Sequence, residues 1–158
     1  MIRLATKEDL TNIMLVYMKA RKFMKDTGNP DQWGDNRPTY ESVVTDIDQK
    51  RMYIIEEDEG LLGVFSLYDY DKDYEDIDGK WLNDEPYVAI HKLAANGMKK
   101  GVFKKALDFA KSKSNNIRID THKHNKVMQL NIKRNKFSYV GRVYIDGELE
   151  RLAYHLVV

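Results

Sequence analysis

Apolar residues recur along this chain at two spacings, and the spacing predicts which segments are helical and which are extended. Spacings of three and four residues predict four helices, which cover residues 6–27, 40–50, 102–110 and 125–135. Thr6 suits the N-cap of the first helix. Gly28 and Pro30 favour its end, because glycine fits a helix C-terminus and proline resists continuation.

Runs rich in β-branched and aromatic residues predict seven strands, at 2–4, 51–57, 61–70, 87–95, 117–121, 137–145 and 149–158. Asp58-Glu59-Gly60 and Asp146-Gly147 predict turns, so two pairs of strands form hairpins. The run 87–95 is apolar almost throughout, as expected for a strand covered on both faces, and we place it centrally. The order of elements predicts an α/β (α+β) fold.

Length and composition limit the class of protein. With 158 residues and 42% hydrophobic content, the chain fits one domain, 1–158, around a single core. Neither a signal-like stretch nor a membrane-spanning run is present, so we expect a cytoplasmic protein with no membrane partner. The absence of cysteine excludes an acyl-enzyme on sulfur, so a transfer reaction would be direct or use another nucleophile.

The charge is divided between the two halves of the chain. Residues 1–90 carry 11 Lys and Arg against 20 Asp and Glu, a net charge of −9, whereas residues 91–158 carry 15 against 5, a net of +10. A basic half is typical of proteins that bind nucleic acid, lipid headgroups or a polyphosphate, although it is more often a solvated face. No nucleic-acid-binding motif accompanies it, so we expect no nucleic-acid partner.

The acidic segment 69–78 invites comparison with a calcium loop, because Asp69, Asp71 and Asp73 alternate. An EF-hand loop needs Gly at its sixth position and a carboxylate at its twelfth, where this chain has Tyr74 and Lys80. We therefore interpret the segment as a solvated excursion.

A loop with two glycines and two lysines, 95–103, joins the central strand to the third helix. Unpaired N–H groups at a helix N-terminus favour phosphate, and the lysines add positive charge. The loop matches neither a dinucleotide-binding fingerprint nor a Walker A motif. Taken alone, it fits a phosphate site and a simple glycine turn equally well.

The order of elements and several separate motifs resemble the GNAT superfamily of N-acetyltransferases over essentially the whole chain. The likeness to one subfamily is carried by Gln32-Trp33-Gly34-Asp35, Trp81 to Tyr87, Ile90 to Ala94, Ile117 to His122, Asn125-Lys126, Met128-Gln129 and Arg151 to Tyr154. The resemblance implies a GNAT fold, with a mixed, mostly antiparallel sheet of about six to seven strands flanked by about four helices.

The resemblance also implies that acetyl-CoA is the cosubstrate. The backbone of Leu93, Ala94 and Ala95 would hold pantetheine, and Asn125 would contact the cofactor from the other side. The pyrophosphate would lie on the amides of Met98, Lys99, Lys100, Gly101, Val102 and Phe103. Coenzyme A phosphates would account for the basic half.

The loop departs from the family pattern at two positions. Family members have Gln or Arg where this chain has Met98, and Gly or Ala where it has Phe103; only Gly101 is retained. Phe103 would crowd the pyrophosphate. Many relatives also protonate the leaving thiolate with a tyrosine where this chain has Ile132, so Tyr139 and Tyr154 are alternatives, or no acid is needed.

Direct attack by an amine requires a base, because a lysine-like amine has a pKa of about 10.4. The candidates are Glu85, His91 and His122, although each also fits an ordinary surface or core position. His122 and His124 form a His-x-His pair, but two ligands without a third make a poor site, so we expect no metal.

These observations predict an N-acetyltransferase that moves an acetyl group from acetyl-CoA to an amine of a small molecule or a peptide. The alternative is a non-catalytic acyl-CoA-binding or sensor domain, which Phe103 and Ile132 favour. The acidic half favours a cationic acceptor, and the resemblance allows a homodimer.

Overall fold

The computed structural model describes all residues from 1 to 158. The elements follow in the order β1 (Ile2–Leu4), α1 (Leu10–Asp26), α2 (Tyr40–Asp48), β2 (Met52–Glu57), β3 (Gly60–Tyr68), β4 (Asp78–Gly79), β5 (Val88–Ala95), α3 (Val102–Lys111), β6 (Asn116–Thr121), α4 (Lys126–Arg134), β7 (Ser138–Ile145) and β8 (Leu149–Val157). Short 3₁₀ turns at Lys7–Asp9 and Lys72–Tyr74 precede α1 and β4.

All strands belong to one sheet in the order β1-β2-β3-β5-β6-β8-β7-β4. Only β5 and β6 run parallel, and every other neighbouring pair is antiparallel. The prediction of a mixed, mostly antiparallel sheet with four helices is therefore confirmed. The sheet has eight strands rather than six or seven, because the two-residue strand β4 pairs with β7.

Helices cover both faces of the sheet and form two separate apolar layers. Consecutive strand residues alternate between them, so that Val64 packs in the layer of α1 and α2 and Phe65 in the layer of α3 and α4. β5 lies fourth in the sheet and contributes Ala94 to one layer and Ile90 to the other, which agrees with its apolar sequence. None of the four helices has the length and apolar composition needed to cross a membrane.

The start of α3 approaches β3 closely, and Gly63 makes this approach possible. A Cβ atom at Gly63 would lie 2.6 Å from Cγ1 of Val102 and 2.9 Å from the carbonyl oxygen of Ala94. Any larger residue would force the helix away from the strand. The N-terminus of α3 is thus held next to the end of β5.

The segment 69–78 is not simply a solvated excursion, and that prediction is wrong for its middle part. Tyr74 is only 1% exposed and packs against Trp81, whose indole N–H donates to the Tyr74 carbonyl oxygen. Asp71 accepts a hydrogen bond from the Asp73 amide and caps the short turn that follows it. The prediction rested on the acidic residues of the segment and did not consider the ring of Tyr74, which is buried and anchors it.

Candidate active site

The central strand β5 contains a β-bulge that opens the sheet. One residue of β3, Phe65, lies opposite two residues of β5, Lys92 and Leu93, and Lys92 has a φ of 54°, in the left-handed region. The hydroxyl of Tyr17, which is fully buried in α1, donates to the carbonyl oxygen of Lys92 at 2.7 Å. Helix α1 therefore fixes the bulge.

Beyond the bulge, β5 and β6 separate. They pair only over Val88–Ile90 and Ile117–Ile119, and β5 continues to Ala95 with no strand on that side. A cavity of about 450 Å³ opens at this separation, and Ile90, Leu93 and Ile119 line it. The exposed backbone edge of residues 91–95 is a surface on which an extended ligand can pair.

A buried polar network supports the Lys92 side chain at one wall of the cavity. Asp46 of α2 accepts hydrogen bonds from Lys92 (2.5 Å), Ser66 (2.6 Å), Tyr68 (2.8 Å) and Arg51 (2.8 Å). Burial lowers the pKa of Lys92, and the charge of Asp46 opposes that effect. Burial by itself raises the pKa of Asp46, but its cationic and hydroxyl partners outweigh it and the pKa is lowered.

His91 projects into the cavity between two carboxylates. Its Nε2 lies 2.7 Å from Oδ2 of Asp71, without a well-aligned hydrogen bond, and its Nδ1 lies 3.7 Å from Oδ2 of Asp120. The three side chains are 10–15% exposed. Tyr74 donates from its hydroxyl to Asp120 at 2.6 Å, and its pKa is raised by burial and by the charge of Asp120.

Asp71 remains an anion beside the histidine. Burial alone raises the pKa of Asp71, but the contact with His91 and the amide of Asp73 outweigh it, so the pKa lies below its ordinary value. Asp73 and Asp146 line the cavity as well. Burial and the neighbouring charge of Asp71 raise the pKa of Asp73. The cavity thus presents a histidine and several carboxylates to whatever enters it.

The glycine loop lies at the other end of the exposed β5 edge and leads into α3. Gly101 is the N-cap residue with a φ of 97°, and the first intrahelical bond runs from the Lys105 amide to the Gly101 carbonyl oxygen. The amides of residues 102–104 therefore have no partner within the chain, as an anion site at a helix N-terminus requires. Lys99 forms an ion pair with Glu57 at 2.6 Å, and Lys100 is exposed.

Phe103 does not crowd this loop. Its side chain is 8% exposed and packs in the apolar layer with Ala106, Leu107 and Ile132, so the expected crowding of the pyrophosphate is wrong. The residue is large because it fills the core below the helix. Met98 is exposed, and its amide donates to the Asn96 side chain at 2.8 Å. The prediction that the Met98 amide is available to the pyrophosphate is therefore wrong.

Asn125 caps α4 and lines the cavity opposite β5. Its Oδ1 accepts from the Met128 amide at 3.0 Å, and its Nδ2 donates to Oε1 of Gln32 at 3.0 Å. The same Gln32 oxygen accepts from the hydroxyl of Thr121 and the amide of His122. Gln32 therefore ties the loop between α1 and α2 to the start of α4, a connection that sequence reasoning missed.

The structure brings only some of the predicted site residues together. His91, Leu93 and Asn125 line the cavity, whereas Glu85 is exposed before β5 and His122 is half-buried and does not line the cavity. Burial, together with the charge of Arg151, lowers the pKa of His122. Ala94 is buried, and Ala95 pairs with Gly63 of β3 while its other side faces the opening towards β6.

The two tryptophans of the chain lie in different environments. Trp33 lines the cavity, whereas Trp81 packs against Tyr74 away from it. Neither Tyr139 nor Tyr154 lines the cavity.

No protein-family model and no curated protein matches the chain. Several solved structures do match it, and they agree with the geometry described above. A GNAT-family acetyltransferase structure from Streptococcus agalactiae is 29% identical, with a TM-score of 0.87 over 100% of this chain and 95% of the other. A putative acetyltransferase structure from Staphylococcus aureus is 26% identical, with a TM-score of 0.72 over 99% and 98% of the two chains.

A more distant structure, a putative acetyltransferase from Salmonella typhimurium with its cofactor acetyl-CoA, is 14% identical, with a TM-score of 0.63 over 99% and 92% of the two chains. Together with the bulged and separated central strands, these similarities define the class: the chain has the fold of the GNAT acetyltransferases. Its similarity to acetyltransferases supports acyl transfer in general.

Proposed function

We propose that this protein is an N-acetyltransferase that uses acetyl-CoA and transfers the acetyl group directly to an amine. The observation that carries the proposal is the separation of β5 from β6, which places an exposed strand edge, a cavity with a histidine, and a free helix N-terminus next to one another. The strand edge matches the extended pantetheine arm of acetyl-CoA, the cavity matches its reacting carbonyl, and the helix N-terminus matches its pyrophosphate.

The residues present fit acetyl-CoA as a substrate. The amides of residues 102–104 offer donors to the pyrophosphate, and the backbone of Leu93 to Ala95 offers groups to the pantetheine arm. The left-handed conformation of Lys92 turns β5 at the bulge. A backbone amide at this turn, next to the thioester carbonyl, would stabilise the oxyanion of the tetrahedral intermediate. The Salmonella typhimurium neighbour with its cofactor acetyl-CoA supports this choice of cosubstrate.

His91 is the base that the geometry favours over Glu85 and His122, because it alone of the three lines the cavity. His91 takes one proton from the ammonium group, and its positive charge then lies between Asp71 and Asp120. The neutral amine nitrogen attacks the thioester carbonyl carbon and the carbon–sulfur bond breaks. The second proton of the nitrogen goes to the leaving coenzyme A thiolate. Asp71 positions the ring.

The acceptor that fits this cavity is a cationic amine. Asp71, Asp73, Asp120 and Asp146 line the cavity, with Arg37, Lys92 and Arg151 as its cationic members. Lys92 is already paired with Asp46, Arg37 lies 3.5 Å from Asp146, and Arg151 lies 3.9 Å from Asp120. Asp71 and Asp73 have no Lys or Arg partner, so they remain to attract an ammonium group before its deprotonation.

Thiol release from acetyl-CoA, measured against a panel of monoamines, diamines, amino sugars and short peptides, tests the proposal. We expect turnover with at least one cationic amine, a large loss of turnover in His91→Gln, and wild-type turnover in Glu85→Gln, which serves as the matched control. Binding of acetyl-CoA without turnover on any amine would instead favour the non-catalytic acyl-CoA-binding domain.

A further inference from the structure

Three side chains with metal-binding atoms lie close together outside the residues that line the cavity. One donor atom each from Asp31, His122 and His124 lies within 4.8 Å of the other two. Asp31 comes from the loop between α1 and α2, and the two histidines follow β6. The sequence shows the histidine pair but not its third member, because Asp31 is 91 residues away from His122.

The backbone that carries these side chains is held in place. Gln32, next to Asp31, accepts from the His122 amide at 3.1 Å and from the Asn125 side chain at 3.0 Å. The Gln32 carbonyl oxygen accepts from Arg151 at 2.7 Å. The two segments therefore stay in register even when no ion is bound, so binding does not have to order them.

The spacing suits a small tetrahedral ion. Ligand atoms about 2.0–2.1 Å from zinc lie roughly 3.3 Å apart, and Nδ1 of His124 already lies 3.5 Å from Oδ2 of Asp31. His122 has to approach by no more than about 1.5 Å, which rotation of a half-buried side chain supplies. Imidazole and carboxylate together favour zinc over calcium or magnesium, which prefer oxygen ligands alone.

From this arrangement we propose that Asp31, His122 and His124 form a zinc site with three protein ligands and an open fourth position. Nδ1 of His122 accepts a hydrogen bond from the His124 amide at 3.1 Å. Binding ends that bond, because a neutral imidazole has a single lone pair. This loss and the exposure of Asp31 and His124 both weaken the affinity for zinc. Zinc clamps the α1–α2 loop to the start of α4 and stabilises the fold.

Calorimetric titration of chelator-treated protein with zinc chloride, and thermal unfolding with and without zinc, test the site. We expect one zinc per chain and a higher melting temperature. Asp31→Asn, His124→Ala and His122→Asn should each weaken binding by about tenfold or more, since even an outer hydrogen-bond partner of a ligand contributes about 10–100-fold. His122→Asn keeps an acceptor for the His124 amide, so its effect reports ligation.

Lys123→Ala, an exposed change between the two histidines, and Asp58→Asn, in the distant β2–β3 turn, are the matched controls and should bind zinc as the wild type does. Circular dichroism of each zinc-free variant verifies that it is folded. The proposal is overturned if the wild type binds no zinc, or if any folded variant of the three ligands binds zinc as tightly as the wild type. Neither result bears on acetyl transfer, which is measured separately.

Discussion

Replacement of Gly101 by valine tests the proposed acetyl-CoA site at a position where backbone conformation, rather than a side chain, would form it. Gly101 has a φ of 97°, and an added Cβ would meet no atom within 4 Å, so valine is opposed by backbone strain and not by a clash. Left-handed backbone costs a residue other than glycine about 1–2 kcal/mol. For a chain of this size the melting temperature of the free protein should fall by roughly 2–8 °C.

The larger effect of Gly101→Val should be on the affinity for acetyl-CoA. Relief of the strain turns the amides of residues 102–104, and loss of one charge-assisted hydrogen bond of about 1.5–3 kcal/mol weakens binding by roughly 10- to 100-fold. With acetyl-CoA at about 100 times the wild-type dissociation constant, the ligand adds about 2.7 kcal/mol to the free energy of unfolding of the wild type. In Gly101→Val this gain should fall to about 0.4–1.4 kcal/mol.

Gly97→Val provides a matched control in the same loop. Gly97 also has a positive φ, 84°, with nothing within 4 Å of an added Cβ, but it precedes the proposed pyrophosphate amides. We expect a similar loss of stability and a wild-type shift with acetyl-CoA or desulfo-CoA in thermal unfolding. A folded Gly101→Val protein with the full wild-type shift would refute the reasoning.

Three further changes test the site and the fold. Asp71→Asn should lower kcat by about 100-fold, because a general base contributes about 10²–10⁴-fold and His91 loses its closest carboxylate; an unchanged steady-state rate would contradict this. Gly63→Ala should lower the free energy of unfolding in urea by about 1–3 kcal/mol, because its Cβ would overlap a methyl group at the start of α3. Hydrogen bonds from Arg3 lower the pKa of Asp9 to about 2. The ionised Asp9 therefore stabilises the folded protein fully above the unfolded-state pKa of 3.8, and this contribution is lost as the pH falls through 2. Asp9→Asn should therefore lose less stability than the wild type between pH 4 and 2, and equal losses would show that this ion pair does not matter.

The positions of helices and strands follow from the sequence because they depend on local periodicity. The spacing of Val102, Ala106 and Leu107 predicts one face of α3, and that face is buried as expected. The two-residue strand β4 has no such signal, since its pairing with β7 depends on the close approach of Gly79 and Gly141. Tertiary contact, not local preference, forms it.

The candidate site is predictable only in part, for the same reason. His91 could be chosen because it lies on the central strand, but Asp71 could not, since its contact with His91 requires the fold of segment 69–78. Phe103 misled the prediction because a sequence position does not show whether a side chain faces the loop or the core.

The bulge itself shows why the opening between β5 and β6 is a property of distant parts of the chain. A left-handed lysine is unfavourable on its own, yet Lys92 is held at both ends from the acidic half. Tyr17 of α1 binds its carbonyl oxygen, and Asp46 of α2 binds its ammonium group. Removal of Asp46 would leave a buried cation unpaired at the bulge. Tyr17 and Asp46 of the first half therefore shape the strand on which the second half is proposed to hold its ligand.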